Sequence, residues 1–489
     1  MNILEKLQDK SLLKLQGYIN GEWVTATTGK QFDVVNPSTE NVIAQVSDLG
    51  KDETEIAIKA AEKALESWRD VPAKQKSAIL RRWYELVMEH QDDLALIMTA
   101  EQGKILAESK GEVAYGASYV EWFAEEAKRI YGDVLPSTGI DRRSIVIKQP
   151  IGVVGAITPW NFPNAMITRK VAPALAAGCT IVLKPAAETP LSALALGELA
   201  TRAGIPAGVF NIVPGTDAPA IGGALTSSDI VKKISFTGST AVGKILMEQS
   251  AKTVKKTSME LGGNAPVLIF KDADLDKAID GAIAAKFRNA GQTCICANRI
   301  LVEDEIYDEF VARLTERVSQ FVVGDGFDTN TAIGPLITQK AVKNVETLVN
   351  DALSKGAELC VGGKAEKLGS YFYLPTVLKN LDSTMRLSKE EVFGPIAPIF
   401  RFKTEQEAIA MANDTDFGLA SYVYTKDAGR IWRVSEKLAY GMVGVNETAI
   451  SSEMIPFGGV KQSGQGREGS KYGLEDYLEI KYLCMGDLA

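Results

Sequence analysis

Histidine is almost missing from this 489-residue chain; His90 is the only one. A thiol relying on an imidazole base would therefore have a single candidate partner. That partner lies in the charged helical run 83–93, on a solvated face and far in sequence from the cysteine pair at 294 and 296. Cysteine is scarce as well: Cys179, Cys294, Cys296, Cys360 and Cys484 are an odd number and mostly isolated. This argues against a disulfide framework and for a reducing, cytoplasmic compartment. Cys294-x-Cys296 is too short for a zinc knuckle and has no second Cys/His pair, so no metal is expected. No Lys/Arg tract exists, and 54 basic against 62 acidic residues leave a net charge of −8. Nucleic acid is thereby disfavoured as a partner. No run of about 18 apolar residues occurs, and residues 1–10 lack the apolar core of a signal peptide, so no membrane partner is expected.

What is present is an ordinary globular composition, 46% hydrophobic and 24% charged, over a length that suits two or three domains. Asn20-Gly21 between the β-formers of 18–24 predicts a hairpin. Apolar residues at three- and four-residue spacing predict helices from about 53 to 110. From Ile151 short apolar runs alternate with amphipathic stretches, the pattern of a doubly wound parallel sheet. A second α/β passage spans about 265–450. Segments 143–150 and 477–484 alternate like strands that pair in an outlying sheet.

The stretch Asn289–Cys296 sets Cys294 just after a glycine turn. Without histidine, its proton must pass to a carboxylate, to water, or be lost in a field of dipoles and a cationic cofactor. Glu260, between Met259 and Leu261 beside Gly262-Gly263, is the signposted base, because a carboxylate at an apolar strand end is costly unless used or paired. A second thiol, Cys296, is spaced to resolve an oxidised Cys294 as a redox partner, or simply packs against the loop. The literal Gly-x-Gly-x-x-Gly at 464–469 stands outside any strand–turn–helix unit and is rejected as a dinucleotide fingerprint. Phe236–Gly243 is the better phosphate turn: Gly238 and Gly243 allow close approach and Ser239 can cap a helix. Lys184 ends a strand where ligands bind in open α/β sheets, or is an ordinary solvated lysine. Asn161 offers an amide donor to an oxyanion, or is a turn former before Phe-Pro.

In order along nearly the whole chain stand Pro159-Trp160-Asn161-Phe162, Lys184-Pro185, Phe236–Ser239, Glu260–Asn264, Gly291–Cys294, Glu391–Pro395 and Pro456–Lys461. Together they resemble the aldehyde dehydrogenase superfamily. Within it, MITRK (166–170), KFRNAGQTCICAN (286–298) and AISS (449–452) are most similar to the succinate-semialdehyde dehydrogenases. The resemblance implies an α/β fold with a Rossmann-like doubly wound cofactor domain (1–126 and 148–257), an α/β catalytic domain (258–455) and a small oligomerisation sheet (127–147 and 475–489). It implies a homodimer or homotetramer. It gives Cys294 the role of nucleophile, Asn161 and the Cys294 N–H that of oxyanion donors, and Glu260 that of base. Trp160, Lys184, Ala187, Gly238, Ser239, Gly243, Glu391 and Phe393 would line the cofactor, and Arg169, Arg288 and Ser451 would grip a substrate carboxylate. The expected reaction is oxidation of succinate semialdehyde, with glutarate semialdehyde or another short acidic semialdehyde as alternative. NAD-preferring members often carry Glu where this chain has Ala187, Glu188 being displaced by one position. A 2′-phosphate meets no like charge at that point, so NADP is favoured, with NAD as the other option.

Overall fold

A computed structural model describes residues 5–488. Residues 1–4 and 489, the extreme ends of the expected cofactor and oligomerisation segments, lie outside the described residues. Five parallel strands form the heart of the first sheet, in the order Lys256–Glu260, Val231–Thr237, Val153–Ile157, Thr180–Lys184, Phe210–Ile212. The chain therefore winds outward in both directions from Val153–Ile157. The order reverses between Val153–Ile157 and Val231–Thr237, and ligands bind at such a switch point, beyond the carboxyl ends of the strands. Helices cover both faces. Lys51–Trp68, Ala218–Ser227 and Thr240–Ala251 pack on one, and Ala73–Glu89, Leu106–Glu126, Ala165–Ala177 and Pro190–Arg202 lie on the other.

The expected hairpin extends this sheet as Gly17–Ile19 and Glu22–Val24. Asn20 and Gly21 both take positive φ, 54° and 83°, as its tight turn requires. The opposite edge is closed by Gly464–Gln465, antiparallel to Lys256–Glu260. The rejected glycine fingerprint is thus an edge strand and its turn. The helical stretch expected over 53–110 resolves into Lys51–Trp68, Ala73–Glu89 and Gln91–Gln102, and a fourth helix continues as Leu106–Glu126. His90 occupies the break between two of these helices, half-buried, and not an open helical face.

The second sheet runs Glu358–Val361, Thr376–Leu381, Ile396–Phe402, Ala297–Glu303, Ala265–Ile269, Ala420–Tyr424, Met442–Val445. All its pairings except the first are parallel. Segments 143–150 and 478–485 pair in antiparallel register, Ile480 opposite Lys148, and Asp133–Leu135 completes this three-stranded arm. No helix among the described residues is long and apolar enough to cross a membrane.

Ile300 lies wholly buried in the middle of the second sheet, opposite Val267 and Ile399. Ile300→Ala is expected to lower stability by about 2–5 kcal/mol through lost burial and the cavity left behind. Leu368→Ala, at a site 59% exposed, should stay within about 0.5 kcal/mol of wild type. Denaturant titration of both variants checks the contrast.

Candidate active site

The cysteine loop is bent by three consecutive left-handed residues: Asn289 (φ 51°), Ala290 (φ 54°) and Gly291 (φ 75°). Two of them carry side chains, a strained arrangement that persists only when the surroundings hold it. The surroundings do. Glu108 Oε1 accepts from the Asn289 N–H at 3.0 Å, and Gln102 Nε2 donates to Asn289 Oδ1 at 3.0 Å. Gln292 Nε2 donates to the Asn289 carbonyl, while Gln292 Oε1 accepts from the Ile337 N–H at 2.9 Å. Tyr422 Oη donates to the Ile295 carbonyl at 2.8 Å. A Cβ on Gly291 would overlap the Gly394 carbonyl, so only glycine fits there.

This loop sets Cys294 in a wall between two cavities. One, of about 300 Å³, is lined by Arg169, Arg288, Ser451, Tyr115, Phe457 and Cys294 among others. The other, of about 260 Å³, is lined by Trp160, Gly238, Ser239, Glu260, Glu391, Phe393 and again Cys294. Asn161 also lines the second cavity. Its Nδ2 donates to the Gln292 carbonyl at 3.0 Å, which fixes the amide beside the loop. Nothing among the described residues accepts from the Cys294 backbone N–H.

Charge in the site is concentrated on the helix Ala165–Ala177, every residue of which is buried. Its two cations converge on one carboxylate. Lys170 Nζ donates to Glu468 Oε1, and Arg169 Nε stands 2.7 Å from Glu468 Oε2, close enough for an ion pair but outside hydrogen-bond geometry. Arg169 is also sandwiched between the rings of Phe457 (4.1 Å) and Tyr119 (5.1 Å). Its Nη2 has no partner among the described residues. Glu260 ends its strand with Oε2 unpaired and its carboxyl group buried beside Gly458. Burial, then the Glu468 carboxylate, raise its pKa well above the ordinary value, against Arg169, Lys170 and Arg467. Burial pushes the Cys294 thiol up to about 12; Arg169 pulls it down, while Glu260 and Glu391 push it further up. Burial also lifts Glu391 to about 7, although its Oε1 accepts from the Gly263 N–H at 3.0 Å.

The two arginines expected to share one task stand in different states. Arg169 is 1% exposed and already paired. Arg288 is exposed, has no ion pair among the described residues, and lies 5.3 Å above the Phe162 ring. Ser451 Oγ touches the Tyr115 hydroxyl, which also meets Tyr119 Oη at 2.9 Å. Tyr115 and Glu468 were not among the sequence candidates: Tyr115 lies just past the stretch expected to be helical, and Glu468 lies inside the rejected glycine fingerprint.

At the second cavity, Ser239 caps the helix Thr240–Ala251 by accepting from the Val242 N–H. Trp160 meets Phe393 edge to face at 5.5 Å. Lys184, Ala187 and Gly243 do not line the cavity beside the thiol. Lys184 Nζ donates to the neighbouring Pro185 carbonyl at 3.0 Å and is paired with no carboxylate among the described residues. Ala187 is half-buried in the following turn, with Glu188 exposed next to it. Gly243 faces Leu261, where a Cβ would collide, so it serves close packing of helix on strand end. Cys296 is 2% exposed and its thiol donates to the Lys286 carbonyl at 3.3 Å; both thiols are free.

Residues 23–483 match the aldehyde dehydrogenase family model. The chain is 60% identical over 481 residues to the NADP(+) succinate-semialdehyde dehydrogenase of Escherichia coli (strain K12), covering 98% of this chain and 100% of that relative. It is 60% identical over 480 residues to glutarate-semialdehyde dehydrogenase of Pseudomonas putida, covering 98% and 99%. A solved structure of an E. coli NADP-dependent enzyme superposes with a TM-score of 0.97 at 59% identity, over 98% of this chain and all of that one. The family match takes in the parallel strands of both large sheets and the cysteine loop: this chain belongs to the aldehyde dehydrogenase family.

Proposed function

We propose that the protein oxidises a short acidic semialdehyde, succinate semialdehyde to succinate, with NADP as the favoured oxidant and NAD as an alternative. The observation that carries this reading is Arg288, a cation with no ion pair among the described residues, in the same cavity as Ser451 and the Cys294 thiol. A carboxylate held there leaves its aldehyde end toward the sulfur. Glutarate semialdehyde differs by one CH₂, worth about 1–3 kcal/mol, and is the nearest second reading; a relative at 60% identity bears that name.

In the reaction the Cys294 thiol loses its proton to water, its sulfur bonds to the aldehyde carbon, and the carbonyl π bond opens so that the oxygen becomes an oxyanion. The Asn161 amide and the Cys294 N–H donate to it. The second cavity fits a nicotinamide: it is walled by Trp160 and Phe393, ends at a helix N-terminus, and has Thr237 Oγ1 buried there without a partner. The dinucleotide, when bound, supplies the acceptor for the hydride that leaves the tetrahedral carbon. Glu391 and Phe393 would hold its nicotinamide end, Gly238 and Ser239 its phosphates, and Lys184 with Ala187 its adenosine ribose. Glu260 then takes a proton from water attacking the thioester, the C–S bond breaks, and the acid departs. Arg169 serves mainly to stack and to neutralise Glu468, with its free Nη2 as the group left for substrate.

The same reading divides the chain into a cofactor domain (1–126 and 148–257), a catalytic domain (258–455) and oligomerisation strands (127–147 and 475–489). The arm exposes Val134, Ile140, Ile480 and Tyr482, between 57% and 91% open, and its outer strand Leu478–Met485 is a free edge. Such a surface supports pairing with further copies, as a homodimer or homotetramer. The free thiols support a cytoplasmic location. For Cys296 to resolve an oxidised Cys294, it would have to leave its bond to Lys286, so we assign it first to packing the loop.

Arg288→Ala should lower kcat/KM for four- and five-carbon acidic semialdehydes about 10- to 100-fold, and for neutral aldehydes of equal length by less than about threefold. Arg169→Ala should depress both classes, the acidic one by the larger factor because Nη2 is lost as well, and destabilise the fold by about 3–5 kcal/mol, because Glu468 loses a buried partner. Rates on matched acidic and neutral aldehydes with both cofactors check the pair, and equal losses in Arg288→Ala would remove its assignment. Glu260→Gln should give a stoichiometric burst of reduced cofactor followed by slow turnover, since an amide cannot take the proton of water. Wild-type steady-state turnover would exclude Glu260 as base. A thiol whose pKa lies far above neutral is protonated below it, so the thiolate fraction climbs with pH. Alkylation of cofactor-free Cys294 should therefore accelerate about tenfold per pH unit from roughly pH 7 to 9. A plateau near neutrality would contradict the burial effect.

A further inference from the structure

The geometry points to Lys104 and Glu112 as positioning residues that fix the main chain of Asn161 and so hold its amide on the oxyanion. This inference rests on the oxyanion role proposed above for Asn161. Lys104 is 2% exposed and Glu112 4%. Lys104 Nζ donates to Glu112 Oε2 at 2.5 Å and to the Asn161 carbonyl at 2.7 Å, and stands 4.1 Å above the Phe162 ring. Both hydrogen bonds and the aromatic face together occupy the ammonium. Glu112 Oε1 accepts from the N–H groups of Asn164 (2.9 Å) and Ala165 (3.2 Å), at the start of the helix that carries Arg169 and Lys170. The ion pair thus grips the segment 161–165 at both ends.

The Asn161 carbonyl has a second donor, Asn289 Nδ2 at 3.0 Å, from the left-handed turn before the thiol. Gln102 closes the circuit: its Oε1 accepts from the Lys104 N–H at 2.9 Å and its Nε2 donates to Asn289 Oδ1. Lys104 also lines the acidic-substrate cavity, but with its charge committed to Glu112 it is not a third cation for the substrate carboxylate. A buried pair of this kind costs desolvation that an apolar pair would avoid. What it supplies is direction, because a hydrogen bond fixes a carbonyl where packing alone would let it slide. An oxyanion donor must stand within about 0.5 Å of its place, and a displacement of about 1 Å can cost about 100-fold in rate.

Two reactions of Cys294 separate this role from a structural one. Acylation by 4-nitrophenyl acetate forms a tetrahedral oxyanion on the attacked carbon, expelling 4-nitrophenolate as the thioester forms. Alkylation by iodoacetamide displaces iodide from a saturated carbon and forms no oxyanion. Lys104→Met keeps the stem over Phe162 and removes the ammonium. It is expected to slow acylation about 10- to 100-fold while alkylation and NADP affinity stay within about threefold of wild type. Glu112→Gln, which keeps the side-chain shape and an acceptor for the helix N-terminus, should slow acylation about 3- to 10-fold. Acylation by Lys104→Met within threefold of wild type, or an equal fall in both reactions, overturns the inference. If Lys104→Met does not fold, the neutral double variant Lys104→Met/Glu112→Gln is read by the same two rates. Asn161→Ala is the control: if its acylation is unchanged, the oxyanion reading itself fails, whereas a loss in Asn161→Ala alone condemns only Lys104 and Glu112.

Discussion

The chemistry of this protein depends on a turn that would not form alone. Asn289, Ala290 and Gly291 all take left-handed backbone, and two of the three bear a Cβ that disfavours it. The hydrogen bonds that hold the turn come from Gln102 and Glu108, remote in sequence, and from Gln292, which is itself anchored to the Ile337 N–H. The sulfur therefore takes its position from two helices and a loop that are distant in sequence, and a disturbance of any of them is felt at the same atom. Placement in the shared wall of two cavities is the result, with one face of the thiol toward Arg288 and Ser451 and the other toward Glu391 and Phe393.

Burial then sets the proton economy. Cys294, Glu260 and Glu391 are each pushed toward their neutral forms, and three cations, Arg169, Lys170 and Arg467, bear on Glu260 from the opposite direction. Glu468 is the pivot of this balance, since it consumes the charge of Arg169 and Lys170 that would otherwise fall wholly on Glu260.

Much of the scaffold is legible in the sequence because its signals are local. Alternating apolar runs give the strands at 153–157, 180–184 and 210–212, Asn20-Gly21 gives its hairpin, and the alternation of 143–150 and 477–484 gives the arm. Cys294, Glu260 and Asn161 are legible for a related reason: each sits beside glycine, proline or an apolar run, where its polar group is out of keeping. Partnerships are another matter. Lys104 and Glu112 read as ordinary polar positions in a helical region, although the structure buries both. Arg169 and Arg288 look equivalent in the chain, but Arg169 is buried against Glu468, which lies 299 positions later in sequence and inside a glycine motif that misdirects attention, while Arg288 is exposed. Sequence periodicity shows which face is buried, not which distant carboxylate will meet it there.

The helix Ala165–Ala177 has no free face. It forms one wall of the cavity that holds Arg288 and Ser451 through Met166 and Arg169, while its remaining side chains are locked into the core, the Glu468 pairing and the first sheet. A lineage exploring new aldehydes can scarcely edit that wall, since nearly every exchange along it would cost stability before it altered selectivity. A second wall, made from Gly111 and Tyr115 on a long helix and Ser451 on a loop, is less buried and freer to vary. Divergence of substrate length and head group among such enzymes should therefore accumulate on one side of the cavity, leaving the other as a fixed datum against which new substrates are measured.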